Sequence, residues 1–286
     1  MIGIKIKKIR VSKNISPINV YSGIMSRSNY WKLEEGLISP SFETVIQLLH
    51  RINLDVEEFL MLLQHDTLLF YNQTKDQRNF FFKKKDSEGL LNLSQQLQQQ
   101  YEQTKALQLR HLALTCNLYY SRLTEKPPSP KIMTELKQYL FGCNDWSLYE
   151  LRLFNSIFFI FDYETSKVLL KRALKTIQHN QQRIDENISF LVNFLSLAVQ
   201  NNDLKQIKII DETLQNDVVL PHKSTYNRIL LSWAKQIIQA YMTRDRQYIH
   251  KAFEIIAIFD TLDMDGPYNM YNAWTNDYQS FIFGSD

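Results

Sequence analysis

The sequence predicts an all-α protein with two parts, a group of five short N-terminal helices and a longer C-terminal series of helical repeats. Only 7 glycines and 7 prolines occur among 286 residues. Apolar residues recur with the 3.6-residue period of helices through most of the chain, and no stretch alternates as a strand would. The N-terminal part also contains several motifs typical of helix N-termini, such as a serine followed by a proline.

The N-terminal helices are predicted from these start signals. The predicted helices begin near Ile4, at Ser16 before Pro17, at Ser26, at Ser39 before Pro40, and at Asp55, where Glu58 would complete a capping box. We expect the fifth helix to run to about Phe70 and a polar loop to follow at residues 83–89. Because 286 residues exceed one minimal domain, the sequence predicts two, 1–66 and 67–286, with the boundary between residues 66 and 72.

The second part is predicted to be a helical-hairpin solenoid. Its clearest helices start near residues 145, 185 and 224, each is followed by a second helix, and Pro221 marks one of the interruptions. These starts recur with a spacing typical of tetratricopeptide-like and HEAT repeats. The expected C-terminal fold is therefore an α-solenoid.

Several chemistries are disfavoured by the composition. No two glycines lie within ten residues of each other, so the phosphate-binding GxGxxG and GxxxxGK loops and the GxSxG elbow do not occur. Neither cysteine has a CxxC partner, and the six histidines show no metal-binding spacing. We therefore expect no enzyme activity, no metal and no cofactor. Two cysteines, no leader pattern and no long apolar run favour a cytoplasmic protein that does not enter the membrane.

The N-terminal residues instead point to DNA. Residues 1–33 carry seven basic groups and no acidic one, which favours a polyanionic partner, although a solvated basic face is equally compatible with charge alone. Gly23 would allow the turn of a helix-turn-helix, whose second helix would begin at Ser26 and present its first residues to a major groove. The predicted DNA-binding residues are Lys13, Ser16, Ser26, Arg27, Ser28, Asn29 and Lys32.

The segments IKKIRVSKNIS, YSGIMSRSNYWKLEEG and FETVIQLLHRINLDVEEF resemble the Rgg/GadR/MutR family of regulators. This resemblance is specific over the predicted N-terminal domain and rests on length, helicity and a few positions in the rest of the chain. It implies an Xre-type helix-turn-helix, a tetratricopeptide-like domain, and a homodimeric transcription factor that responds to a short linear signalling peptide. Two positions depart from the family pattern: Glu35 stands where a basic residue is common, and Pro17 where a polar one is.

A peptide lying in a solenoid groove needs partners for its backbone amides, and asparagine side chains can donate and accept at once. The segments LYELRLFNSIFF, SFLVNFLSL and STYNRILLSW carry such groups on otherwise apolar helices, at positions that correspond approximately to peptide-binding positions of related receptors. An arginine could bind the peptide's carboxylate with two hydrogen bonds, and we expect this of Arg152 or Arg228. The predicted peptide-binding residues are Arg152, Asn155, Asn193, Tyr226, Asn227 and Arg228.

Alternatives remain open at this point. Each asparagine could bridge neighbouring helices and each arginine could lie on an outer face. The whole chain could also be a protein-interaction scaffold whose basic N-terminus is merely surface. Dimerisation follows from the resemblance and from the two-fold symmetry of operators, and we expect the contact at Met264 to Phe283.

Overall fold

The computed structural model describes residues 2–63, 66–179, 184–216 and 225–284, with side chains from position 73 in the second segment and from 187 in the third. All regular elements in these residues are helices, which confirms the predicted fold class. The N-terminal helices are α1 (Ile2–Ser12), α2 (Pro17–Tyr21), α3 (Arg27–Glu34), α4 (Phe42–Arg51) and α5 (Val56–Leu62). The following ones are α6 (Asp66–Lys83), α7 (Ser87–Thr104), α8 (Leu107–Leu123) and α9 (Pro130–Gly142). The last are α10 (Leu148–Ile157), α11 (Tyr163–His179), α12 (Ile184–Gln200), α13 (Leu204–Asn216), α14 (Thr225–Thr243), α15 (Gln247–Thr261) and α16 (Asp265–Phe283), with a short 3₁₀ turn at Phe158–Ile160.

Backbone contacts divide the chain into two compact units, Met1–Cys116 and Asn117–Asp286, so the division falls within α8. The predicted functional boundary at residues 66 and 67 instead lies at the start of α6, and it stays a prediction. Among its described residues, the first unit contains two separate hydrophobic clusters. One is formed by α1–α5 and the other by α7 and α8, with Phe81 of α6 packed against it.

Three local predictions at the N-terminal helices were wrong. The helix expected from Asp55 to Phe70 ends at Leu62, and a separate helix begins at Asp66. Asp55 occupies the N-cap position of α5, but its side chain makes no capping hydrogen bond, so the predicted capping box is absent there. Helix α4 begins after Ser41, whose hydroxyl accepts the Thr44 N–H at 3.2 Å, and not after Ser39.

The core of the N-terminal helices depends on a close approach between α1 and α3. Gly3 is buried, and a Cβ placed on it would lie 1.8 Å from the carbonyl oxygen of Leu33. A second tie is the buried ion pair of Arg10 with Glu34, in which Nε and Nη2 donate to the two carboxylate oxygens at 2.7 and 3.0 Å. The remaining guanidinium nitrogen, Nη1, donates to the Ile15 carbonyl oxygen at 2.8 Å.

The repeat pattern of the second unit agrees with the prediction. Helices α10, α12 and α14 begin close to the predicted starts at 145, 185 and 224, and each is followed by its hairpin partner α11, α13 or α15. Helix α10 opens with a complete capping box between Ser147 and Glu150. The break expected at Pro221 lies outside the described residues.

The C-terminal end of this unit is held by an aromatic cluster. The Trp233 indole N–H donates to the Thr275 hydroxyl at 2.9 Å, which joins α14 to α16. Around Trp233 lie Tyr271, Trp274 and Tyr278, at ring-centroid distances of 5.0, 6.3 and 5.8 Å. Aromatic pairs at such distances add stability beyond the area they bury, so α16 is firmly packed along its inner face.

Candidate DNA-binding surface and peptide-binding residues

Helices α2 and α3 form a helix-turn-helix with the predicted turn. Gly23 adopts φ of 78°, a left-handed conformation that glycine reaches without steric cost. The turn is closed by the Ile24 N–H, which donates to the Tyr21 carbonyl at 2.9 Å. The rings of Tyr21 and Tyr30, 5.3 Å apart, pack the end of α2 against α3. The chain therefore holds two short helices in a fixed relation through local contacts.

Helix α3 presents most of the predicted DNA-binding residues on its surface. Ser26 caps the helix by accepting the Asn29 backbone N–H at 3.2 Å, which is the predicted helix start. Tyr30 and Leu33 face the core. The side chains that remain exposed include four of the predicted set, Arg27, Ser28, Asn29 and Lys32.

Both carboxylates at the end of α3 are held by cations from α1. Glu34 is paired with Arg10 in the buried ion pair, and the hydrogen bonds that Arg10 donates to its carboxylate raise the pKa of the arginine. Glu35, the first departure from the family pattern, lies 2.5 Å from the Lys7 ammonium. The two negative charges at the end of the helix that carries the exposed basic residues are thus paired with cations of the same domain.

The two predicted DNA-binding residues that precede the turn, Lys13 and Ser16, differ in the contacts that their side chains make. Lys13 donates from Nζ to the carbonyl oxygens of Ile52 and Asn53 at 2.9 and 2.7 Å, so its ammonium supports the C-terminal end of α4. Ser16 is exposed and occupies the N-cap position of α2, but its side chain makes no capping hydrogen bond. Pro17, the second departure, is the first residue of α2, as its fixed φ favours.

Sequence reasoning did not select one conspicuous residue of this surface. Trp31 lies on α3 and is 58% exposed, beside the basic residues. The sequence shows a tryptophan between Tyr30 and Lys32, and a periodicity argument cannot separate an aromatic that packs inward from one that points outward. Only the burial of Tyr30 and Leu33 fixes the outward position of Trp31.

In the second unit, α12 is the central helix, because α10, α13, α14 and α16 all pack against it. Most of its described side chains are buried, and the incompletely buried ones fall on one stripe at spacings of four, four and three residues. This stripe consists of Ser189, Asn193, Leu197 and Gln200. It therefore leaves a mainly polar face on a helix that is otherwise apolar.

Aromatic residues of the neighbouring helices complete the apolar part of this unit. Phe161 and Trp233 are buried, whereas Phe158 and Phe159 are half-buried. The first two rings therefore belong to the core of this unit, and the other two lie at its edge.

Two predicted peptide-binding residues, Asn193 in this stripe and Asn155 on α10, are in contact. Asn193 donates from Nδ2 to Oδ1 of Asn155 at 2.8 Å, and Asn155 donates from Nδ2 to the Ser189 hydroxyl at 3.3 Å. All three side chains are half-buried. Each amide has two N–H groups and an oxygen with two lone pairs, so both keep hydrogen-bonding capacity. Ser189 was missed, although it stands one helical turn before Asn193.

The other four predicted peptide-binding residues are more dispersed. Arg152 is exposed one turn before Asn155 on α10. The three consecutive residues on α14 point in different directions, as their 100° helical steps require. The Tyr226 ring packs on Phe259 at 5.4 Å, Asn227 is buried, and Arg228 is exposed.

Within the described residues, no three His, Cys, Asp or Glu side chains are grouped as metal ligands. The side chains of His65 and His222 lie outside the description. Among the helices that the structure describes, none is long and apolar enough to cross a membrane.

The fold and these two surfaces define a class of protein, a helix-turn-helix module followed by a tetratricopeptide-like helical array. Comparison with known proteins identifies the family. The family model described as "HTH-type transcriptional regulator Rgg, C-terminal domain" matches residues 91–273, so the chain belongs to the Rgg family of transcriptional regulators. The resemblance drawn from the N-terminal segments is thereby confirmed from the other end of the chain.

Solved structures show the same fold over nearly the whole length. The Streptococcus dysgalactiae SHP pheromone receptor Rgg2 is 17% identical, with a TM-score of 0.74 and coverage of 97% of this chain and 99% of that chain. The complex of PrgX with cCF10 is 20% identical, with a TM-score of 0.73 and coverage of 98% and 92%. A bacterial peptide pheromone/receptor complex is also 20% identical, with a TM-score of 0.72 and coverage of 100% and 99%.

Proposed function

We propose that this protein is a cytoplasmic, homodimeric transcription regulator that binds promoter DNA through α3 and is controlled by a short linear peptide bound beside the polar stripe of α12. Membership of the Rgg family supports the regulator part of the proposal. The DNA-binding part is supported by one observation. Helix α3 exposes Arg27, Ser28, Asn29 and Lys32, while the two carboxylates at its end are paired with cations of α1.

The four exposed polar and basic residues of α3 have two kinds of role in this proposal. Arg27 and Asn29 are in the first turn, where a recognition helix contacts base edges, and they match guanine and adenine in hydrogen-bonding pattern. Ser28 and Lys32 bind phosphates, together with Ser16 and Ser26 at the starts of α2 and α3. Lys13 can contact DNA as predicted only if its ammonium releases the carbonyl oxygens of Ile52 and Asn53, or if it reaches a phosphate while still bound to them.

The peptide part rests on Asn155 and Asn193. A peptide backbone offers alternating N–H and C=O groups, and leaving one buried without a partner costs about 1–3 kcal/mol. The half-buried asparagine pair provides both donors and acceptors at one place, with Arg152 exposed one turn away for a carboxylate. Tyr226, Asn227 and Arg228 are proposed to extend the site at the start of α14.

DNA binding is tested first, with the full-length protein and fragments of the promoter region beside its own gene. We expect a mobility shift that weakens as salt is raised, because phosphate contacts release counterions. Arg27→Ala and Asn29→Ala should each weaken it about tenfold, as expected for loss of a base contact worth about 1–3 kcal/mol. Lys84→Ala, which removes an exposed charge between α6 and α7, is the matched control and should change the affinity little.

Peptide binding is tested separately, by capture from a pool of synthetic octapeptides with free C-termini and from the same pool amidated. Asn155→Ala and Asn193→Ala should each reduce capture, and amidation should reduce it if an arginine binds the carboxylate. Gln215→Ala on α13 removes an exposed amide elsewhere in this unit and should leave capture unchanged. Absence of DNA binding at low salt, with or without captured peptides, would favour the interaction scaffold instead.

A further inference from the structure

Trp31 is the exposed tryptophan of this chain. Trp233 is fully buried, Trp146 is nearly so, and Trp274 lies in the aromatic cluster of α16, whereas Trp31 is 58% exposed. A single exposed apolar residue is common on protein surfaces, so exposure alone is not informative. Its surroundings on α3 are what distinguish Trp31.

The outward face of α3 combines this aromatic with basic and polar groups. Ser28 stands three residues before Trp31 and Glu35 four residues after it, which places them on the same side of the helix. Lys32 is exposed next to Trp31, and Arg27 is exposed one turn before it. Glu35 is paired with Lys7, so the net charge beside the indole is positive. This combination suits a polyanion that also offers apolar groups.

Duplex DNA has both features in its major groove. The phosphates attract Arg27 and Lys32, and the 5-methyl group of thymine is the apolar group that distinguishes an A·T pair there. On the basis of the proposed DNA binding, we propose that Trp31 is a specificity-determining residue that packs its indole against a thymine 5-methyl group in the major groove. It adds an apolar contact to the hydrogen bonds assigned to Arg27 and Asn29.

The test uses duplexes enriched from a random library by the full-length wild-type protein. Each thymine of the enriched sequence is replaced in turn by deoxyuracil, which removes only the methyl group. We expect one position per half-site at which wild-type affinity falls about fourfold, the effect of losing one buried methyl group. Trp31→Ala should bind the thymine duplex at least fourfold more weakly and lose nothing further at that position, because the two changes remove the same contact.

Matched variants separate this contact from general effects. Trp31→Phe should keep part of the thymine preference, since a smaller aromatic ring can still reach the methyl group. Phe80→Ala removes an aromatic that is 56% exposed on α6, outside the helix-turn-helix, and should match the wild type at every duplex. Trp31 also reports directly, because bound DNA should reduce the acrylamide quenching of wild-type fluorescence and leave that of Trp31→Phe unchanged.

The outcomes distinguish this inference from the proposed function beneath it. If wild type binds and Arg27→Ala weakens binding, but Trp31→Ala binds like wild type, the thymine contact is refuted and the regulator proposal stands. Equal deoxyuracil profiles for a weakened Trp31→Ala and the wild type would also refute it, and would indicate an indole N–H bond to phosphate. If the wild type enriches no duplex at low salt, both proposals are overturned.

Discussion

At the scale of single residues, Gly3 allows α1 to lie close to α3 because it has no side chain. A methyl group at this position would collide with the Leu33 backbone, which cannot rotate away as a side chain could. Gly3→Ala gains roughly 1 kcal/mol of helix propensity, but a collision with backbone places its overpacking cost at the upper end of the usual range, about 3 kcal/mol. We expect a net loss of about 2 kcal/mol in the free energy of unfolding of the N-terminal helices, measured by urea denaturation.

Gly142→Ala is the control for this prediction. Gly142 ends α9, and a Cβ there would meet nothing within 4 Å. The same substitution should therefore be neutral or slightly stabilising. If Gly3→Ala unfolded at the same urea concentration as the wild type, the close approach of α1 and α3 would not constrain that position.

The two cysteines are predicted to differ in reactivity. Burial raises the pKa of Cys116 to about 12, so its reactive thiolate is scarce near neutral pH, while Cys143 is partly exposed. With 5,5′-dithiobis(2-nitrobenzoic acid) at pH 8, we expect one thiol per chain to react quickly and the second only in denaturant. Cys143→Ser should abolish the fast phase and Cys116→Ser should retain it. A fast phase in Cys143→Ser would show that Cys116 is accessible.

At the scale of helices, the sequence predicted which helices form better than it predicted where they begin and end. Ser26 was correctly identified as the cap of α3, but the segment from Ser39 to Phe42 contains two serines around Pro40, and each is a possible cap. The Ser41 hydroxyl also lies 3.1 Å from the Thr44 hydroxyl, a second local contact that favours the later start. Similarly, no glycine or proline marks the end of α5 at Leu62, so local signals gave no reason to end it there.

The start of α4 can be tested with the two serines. Ser41→Ala removes the acceptor for the Thr44 N–H, and loss of such a cap costs about 0.5–2 kcal/mol. We expect urea denaturation to show this loss for Ser41→Ala and almost none for Ser39→Ala. The reverse order would restore the start at Ser39 that the sequence first suggested.

At the scale of the whole molecule, repeat spacing predicted the helical array, whereas the site depended on contacts between distant segments. The pairing of Asn155 with Asn193 joins residues 38 positions apart, and the family resemblance alone placed both in one site. The Arg10–Glu34 ion pair and the hydrogen bonds from Lys13 to the end of α4 were not predicted, because these residues are far apart in the sequence and no helical periodicity relates them. Spacing determines which residues share a helix face, but packing determines which faces meet.

The dimer contact is a prediction about the whole molecule. Helix α16 buries Tyr271, Thr275, Tyr278 and Ile282, while Phe281 on its other side is 53% exposed and Met270 is also exposed. A two-fold contact between copies of this helix would cover both apolar side chains, in keeping with the contact expected at 264–283. Phe281→Asp would place two carboxylates near each other across that axis, so we expect a monomer in size-exclusion chromatography with light scattering.

A monomer should also bind DNA more weakly, because a dimer holds two recognition helices on two half-sites at once. Phe281→Asp should therefore shift the promoter fragment only at higher protein concentration, while its preference among half-site sequences stays that of the wild type. Val168→Asp, at an exposed apolar position on α11, introduces the same charge away from α16 and should remain dimeric. A dimeric Phe281→Asp with unchanged affinity would place the contact elsewhere, whereas a monomer with altered half-site preference would mean that the substitution disturbs more than the contact between copies.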